Sequence, residues 1–191
     1  MGREFELKYS ATPEQQAAIR GCFPNLTPIE METTYYDTPT GDLSARRWTL
    51  RRRFENGRSV CTVKTPAPGG ARGEWELEMA DIADAIPELC KLGAPKELVS
   101  LTAGGVIQVC GARFTRLAGE IAATGCTLEL ALDSGVLLGG GRTEPLCEVE
   151  VELKSRSEDA AVAFAQALSR KFGLVPQPES KYRRALELAR G

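Results

Sequence analysis

Alternation of charged and apolar side chains is the dominant pattern along this chain. It opens at residues 3–9, where Glu4, Glu6 and Lys8 interleave with Phe5 and Leu7. Successive side chains of a strand point to opposite faces, so the segment reads as a strand with one ionic and one apolar face. The same pattern returns at residues 47–54, 59–65 and 72–79. It is cleanest at residues 146–154, where Glu148, Glu150 and Glu152 alternate with Val149, Val151 and Leu153. Residues 30–37, 106–118 and 120–133 read as three further strands. Turn signals fall between them at Thr38-Pro39-Thr40-Gly41, at Asn56-Gly57 and at Gly139-Gly140-Gly141.

Helical segments are marked by their ends. Thr12, Pro13 and Gln15 form a capping-box pattern that opens a helix, which Gly21 should close. Residues 81–101 are helical in pattern with a break at Gly93-Ala94-Pro95. Ser157 caps a helix running to Phe172, stopped by Gly173. Pro176 and Pro178 mark a linker, and a last helix covers residues 180–189. No repeat and no domain boundary stands out. The sequence therefore predicts an α+β fold in a single domain over residues 1–191. Ala161, Val162, Ala165, Leu168 and Phe172 form an apolar stripe that must cover an apolar sheet face, so helices are expected on the outside of the sheet.

The opposite face is ionic on strand after strand. Arg51 and Arg53 share it, as do Thr62 and Lys64; Arg72, Glu74 and Glu76; and Glu129, Ala131 and Asp133. By parity Arg52 points away, and Arg116 is favoured over Arg113 for this face. On one strand such a face is simply wet. Over the whole sheet, charges of both signs and few neutral polar groups suggest an enclosed surface. Charge at that density is costly unless paired or ligated, which points to a charged ligand carrying a metal.

Composition narrows the chemistry. The 191 residues are 42% hydrophobic and 26% charged, with a net charge of −2, which argues against a nucleic-acid surface held by bulk charge. There is no histidine, so oxygen ligands and a hard cation, Mg²⁺, Mn²⁺ or Ca²⁺, are favoured over zinc. The six cysteines contain no C-x-x-C pair, which fits a reduced, cytoplasmic protein. Neither a signal peptide nor a membrane-spanning run is evident. Glutamates at i and i+2 can share one cation, and Glu4/Glu6 and Glu148/Glu150 are two such pairs. Lys8, Arg51, Arg53, Lys64, Arg72, Arg116 and Lys181 supply charge for a polyphosphate.

Eight segments, in order, resemble the motifs of the CYTH superfamily, the triphosphate tunnel metalloenzymes. Glu4 to Lys8 is similar to its opening E-x-E-x-K. Tyr35-Tyr36-Asp37-Thr38, Leu50-Arg51-Arg52-Arg53 together with Thr62-Val63-Lys64, and Arg72-Gly73-Glu74-Trp75-Glu76 resemble its central segments. Glu129 to Asp133, Cys147 to Glu152 and Ser180-Lys181-Tyr182 resemble its closing ones. The resemblance implies an eight-stranded antiparallel sheet closed into a β-tunnel. It implies Mg²⁺ or Mn²⁺ held by Glu4, Glu6, Glu148 and Glu150, with Asp133, Glu74 and Glu76 as further candidates. Catalysis would fall to Glu4, Glu6, Lys8, Glu74 and Glu76, and substrate binding to the seven basic residues named above. The implied substrate is a small-molecule triphosphate. The motifs look most like the bacterial inorganic triphosphatase branch, which implies hydrolysis of tripolyphosphate to pyrophosphate and phosphate. Class IV adenylyl cyclases, thiamine triphosphatases and nucleoside triphosphatases belong to the same superfamily and remain alternatives. Many members of that branch carry a downstream CHAD domain; with the sequence ending at Gly191, that domain is expected to be missing here, either naturally or by truncation.

Overall fold

The structure is a computed structural model that describes residues 5–66 and 72–191. Its strands are β1 (Glu6–Ser10), β2 (Thr27–Asp37), β3 (Thr49–Glu55), β4 (Arg58–Pro66), β5 (Arg72–Glu78), β6 (Ile107–Ala123), β7 (Cys126–Gly139), β8 (Arg142–Arg156) and β9 (Val175–Pro176). The helices are α1 (Pro13–Cys22), α2 (Asp42–Ala45), α3 (Ile82–Lys91), α4 (Glu97–Leu101), α5 (Glu158–Phe172) and α6 (Lys181–Arg190). All the strands form one antiparallel sheet in the order β5-β4-β3-β2-β6-β7-β8-β1-β9. Among the described residues no helix is long and apolar enough to cross a membrane.

Turn chemistry sets the hairpins. Asn56 and Gly57, both at positive φ, join Glu55 to Arg58, and Gly140 and Gly141 join Gly139 to Arg142 in the same way. A two-residue turn with both φ values positive matches the twist of the strands it joins. The expected break at Gly119 does not occur. β6 runs through it, and the turn falls six residues later at Thr124-Gly125, where Gly125 has φ +84°. A Cβ on Gly119 would come within 3.0 Å of Leu26 Cδ2, so this glycine serves a close approach and not a turn.

Two apolar clusters lie on the outer face. Leu128, Leu130, Leu132, Val149 and Val151 pack against Ala161, Ala165 and Leu168 of α5 and Ile19 of α1. Leu50, Cys61 and Val63 pack against Ile82, Ala85, Ile86 and Leu89 of α3 and Leu98 of α4. Each fully buried leucine contributes roughly 1.5–3 kcal/mol, so these faces anchor the sheet.

The tunnel expectation is met in part. Among the described residues there are nine strands, not eight, and no backbone ladder joins β5 to β9. β9 is two residues long and ends on Pro176, which has no N–H to offer a further strand. The expectation that helices lie outside fits α1, α3, α4 and α5 and is corrected for α6. α6 packs on the ionic side of the sheet, where that face turns apolar: Ala185 meets Met31, Tyr35, Ala112, Phe114, Leu137 and Leu146. Gly139 makes room for it, since a Cβ there would stand 2.4 Å from the Ala185 carbonyl oxygen.

Candidate functional site

Strand register brings the charged positions together. Asp133 of β7 pairs with Glu148 of β8, and Lys8 of β1 with Glu150. Arg116 of β6 pairs with Asp133, Arg51 of β3 with Thr62 of β4, and Lys64 with Glu74 of β5. Directly opposed residues of antiparallel strands share a face, so these side chains all lie on the face that also receives α6. Although α6 covers only one end of it, the side chains of Arg51, Arg53 and Lys64 are only 13%, 16% and 15% exposed. A flat sheet would leave them in water, so the sheet curls around them.

One half of this concave face is acidic. Asp133, Glu148 and Glu150 are buried, and a carboxylate oxygen of each lies within 4.8 Å of the others. Lys181 enters from the first turn of α6, with Nζ 2.8 Å from Asp133, 2.7 Å from Glu148 and 2.5 Å from Glu150. Arg116 donates to both oxygens of Asp133 at 2.7 Å and also to Glu150. Arg184, one turn along α6 from Lys181, donates to Glu148 and Glu144. Glu148 Oε2 lies close to Lys181 but off the hydrogen-bonding direction, so it has a charge partner and no hydrogen bond. Burial works to raise the Glu150 carboxyl, but Lys181 and Arg116 overcome it and hold it at about 2. Burial opposes the charge on Lys181, and the three carboxylates reverse this and raise it above the ordinary lysine value.

The other half is basic. Arg51, Arg53 and Lys64 line it; Glu74 lies 3.0 Å from Lys64 and 3.8 Å from Arg51. Arg53 reaches Glu55 at 3.2 Å. Burial, together with the like charges of Arg51 and Arg116, lowers the Arg53 guanidinium below its ordinary value.

Several expected residues stand elsewhere than the spacing suggested. Lys181 and Arg116 bind carboxylates, not open space. Lys8 donates to the Glu179 carbonyl oxygen at 3.0 Å. Glu6 lies at the level of Glu152 and not of the Glu148/Glu150 pair, though its charge is felt at Arg116. Glu76 is exposed. Glu4 and the side chain of Arg72 lie outside the described residues. The Tyr35-Tyr36-Asp37-Thr38 segment is structural in its second half: Asp37 accepts from the backbone N–H groups of Thr38, Leu43 and Ser44, capping α2. Sequence reasoning missed Arg184, whose i, i+3 spacing from Lys181 was the available signal. It also missed Gln16, whose side-chain N–H groups donate to the Asp133 and Glu148 carbonyl oxygens and tie those two strands together.

The three acids form a fitting cage for a hard divalent cation. Every donor is a carboxylate oxygen and the burial is deep, while the Lys181 ammonium stands among the three and would have to yield its place to an ion. The CYTH domain matches residues 2–186. The chain belongs to the CYTH domain family. An inorganic triphosphatase of Haemophilus influenzae is 25% identical over 175 residues, covering 88% of this chain and 50% of that one. The chain thus spans about half the length of that CYTH relative. Among solved structures, a Hippeastrum protein described as an adenylyl cyclase with a dominant triphosphatase activity superposes with a TM-score of 0.67 at 19% identity, over 99% of this chain and 95% of that one. A Pyrococcus horikoshii protein superposes with a TM-score of 0.62 at 23% identity, over 97% and 99% of the two chains. These two share the CYTH-type fold seen here.

Proposed function

We propose that this CYTH protein hydrolyses a linear triphosphate in a metal-dependent reaction, with inorganic tripolyphosphate as its substrate. The observation that carries this reading is the shielded basic half of the concave face, Arg51, Arg53 and Lys64, set beside a buried carboxylate trio. A triphosphate bound to a divalent ion is complementary to both halves at once. The family match and the triphosphatase relative support the same chemistry.

In this reading the curled sheet encloses the substrate as a tunnel. Arg51, Arg53 and Lys64 bind and neutralise the phosphate oxygens. Asp133, Glu148 and Glu150 hold Mg²⁺ or Mn²⁺, with Glu4 and Glu6 contributing from the first strand. Lys181 and Arg116 keep Glu150 ionised at neutral pH. Glu74 fixes Lys64 and Arg51 in place. A bound divalent ion would polarise the terminal phosphoryl group and lower the pKa of an attacking water. Phosphoryl transfer depends mainly on positioning and charge neutralisation, so the lack of histidine is no obstacle. The protein is expected to act in the cytoplasm.

The test is a panel of tripolyphosphate, ATP and thiamine triphosphate with Mg²⁺ or Mn²⁺, read by phosphate release, with mass spectrometry for cAMP. Tripolyphosphate should turn over best. A strong preference for ATP, or cAMP as the main product, refutes the substrate assignment; no turnover of any of them refutes the enzymatic reading.

A further inference from the structure

The strand that carries Lys64 also carries a hydroxyl with no partner. Thr62 lies two residues before Lys64 on the same ionic face, directly opposite Arg51 on one side and Glu76 on the other. It is 1% exposed, and its Oγ1 makes no hydrogen bond among the described residues. Buried threonine hydroxyls ordinarily find an acceptor, as Thr102 does at the Leu98 carbonyl oxygen, 2.7 Å away. Across the ladder, Arg51 Nε is also buried and makes no hydrogen bond, although Nη2 of the same guanidinium has Glu74 nearby.

Two orphaned donors thus stand on adjacent strands at one register level. Leaving a buried donor unmade costs stability, and valine would fill the Thr62 site without that cost. Valine already occupies Val60 and Val63 on the same strand. Opposed side chains of neighbouring strands stand about 4.5–5.5 Å apart at Cβ, close enough for both donors to reach one acceptor atom. Lys64 supplies positive charge beside them.

We propose that Thr62 Oγ1–H and Arg51 Nε–H together bind a single anionic oxygen of a phosphoryl group, which makes Thr62 a substrate-binding residue. The inference rests on the reading of the concave face as a triphosphate site. The hydroxyl is held unsatisfied in the free protein and is satisfied on binding.

The experiment compares wild type, Thr62→Val and Thr62→Ser by thermal melting without ligand and by steady-state hydrolysis of tripolyphosphate with Mg²⁺. Thr62→Val should melt at or above the wild-type temperature while its KM rises about tenfold or more, as expected for a lost hydrogen bond to a charged acceptor. Its kcat should change less than its KM, and Thr62→Ser should keep a KM near wild type. An unchanged KM in Thr62→Val overturns the assignment, and so does a fall in its melting temperature, which would place Thr62 in the fold and not the site. If wild type itself neither binds nor hydrolyses tripolyphosphate, the triphosphate reading fails and this inference fails with it. If wild type is active and Thr62→Val matches it, only the Thr62 assignment falls.

Discussion

Replacing Lys181 by methionine keeps much of the side-chain volume and removes the ammonium that three carboxylates share. The ammonium lies within 2.8 Å of Asp133, Glu148 and Glu150. The Glu150 carboxyl, ordinarily near 4.5, is held at about 2 in the folded protein, with Lys181 the leading attraction and Arg116 the next. That difference corresponds to roughly 3 kcal/mol at about 1.36 kcal/mol per pH unit. Breaking buried ion pairs by removing one partner costs about 3–5 kcal/mol, so the two routes agree. For a chain of this size about 1 kcal/mol moves the melting temperature by about 2–4 °C. Lys181→Met should therefore melt about 6–12 °C below wild type at pH 7 in EDTA.

The sign of the pH dependence gives a second check. A carboxyl depressed on folding contributes stability that is fully present above its unfolded value of about 4.5 and disappears as pH falls through about 2. Without Lys181 the Glu150 carboxyl takes up its proton at higher pH, so the deficit of the variant should shrink between pH 7 and pH 4. Circular-dichroism melts at both values measure it. Adding Mg²⁺ or Mn²⁺ at pH 7 should then restore stability to the variant, by about 2.7 kcal/mol at a hundredfold excess over the dissociation constant. If Lys181→Met melts with wild type in EDTA at pH 7, or shows the same deficit at pH 4, the ammonium does not balance the acids as argued.

Three other substitutions separate the parts of the site. Glu148→Gln should lower turnover roughly tenfold or more at limiting metal, and excess Mg²⁺ should recover part of it in a metal titration. Arg53→Ala should raise the KM for tripolyphosphate about tenfold or more, with metal dependence retained, because a charged hydrogen-bond donor is lost. Gly139→Ala places a Cβ 2.4 Å from the Ala185 carbonyl oxygen and 2.7 Å from the Ala189 nitrogen. Overpacking of that kind costs about 1–3 kcal/mol. A fall in both melting temperature and turnover would show α6, and with it Lys181, displaced; unchanged turnover would show that α6 can shift without harm.

Which face each strand residue takes was legible from parity alone. Arg51, Arg53, Thr62, Lys64, Glu74, Asp133, Glu148 and Glu150 all fall on the face that alternation assigned them, because a register slip would bury the charges among Leu130, Leu132 and Val149. Three things were not legible. Gly119 looked like a turn because close packing and positive φ leave the same residue in the sequence; only Leu26, distant along the chain, tells them apart. The side on which α6 packs depends on Ala112, Leu137 and Leu146 making one end of the ionic face apolar, and each of these sits on a different strand. The carboxylates that Lys181 and Arg116 meet were not legible for a related reason. A basic residue that faces a bound anion and one that faces buried carboxylates have the same spacing in the sequence, and only the three-dimensional proximity of Asp133 shows the ion pairs these two make.

That separation has a consequence for how the ligands meet the protein. In the basic half, Arg53 is lowered by burial and by the like charges of Arg51 and Arg116. In the acidic half, three buried carboxylates are balanced only because Lys181, Arg116 and Arg184 are drawn onto them. Arg116 takes part in both: it is pulled toward Asp133 and Glu150 and repels Arg53. A cation placed among the acids weakens their hold on Arg116 and adds to the demand for an anion next door; an anion on Arg53 relieves the repulsion and strengthens the hold of the acids on a cation. Linkage requires the two effects to be equal, so metal and triphosphate should each tighten the binding of the other, through one arginine that borders both sites.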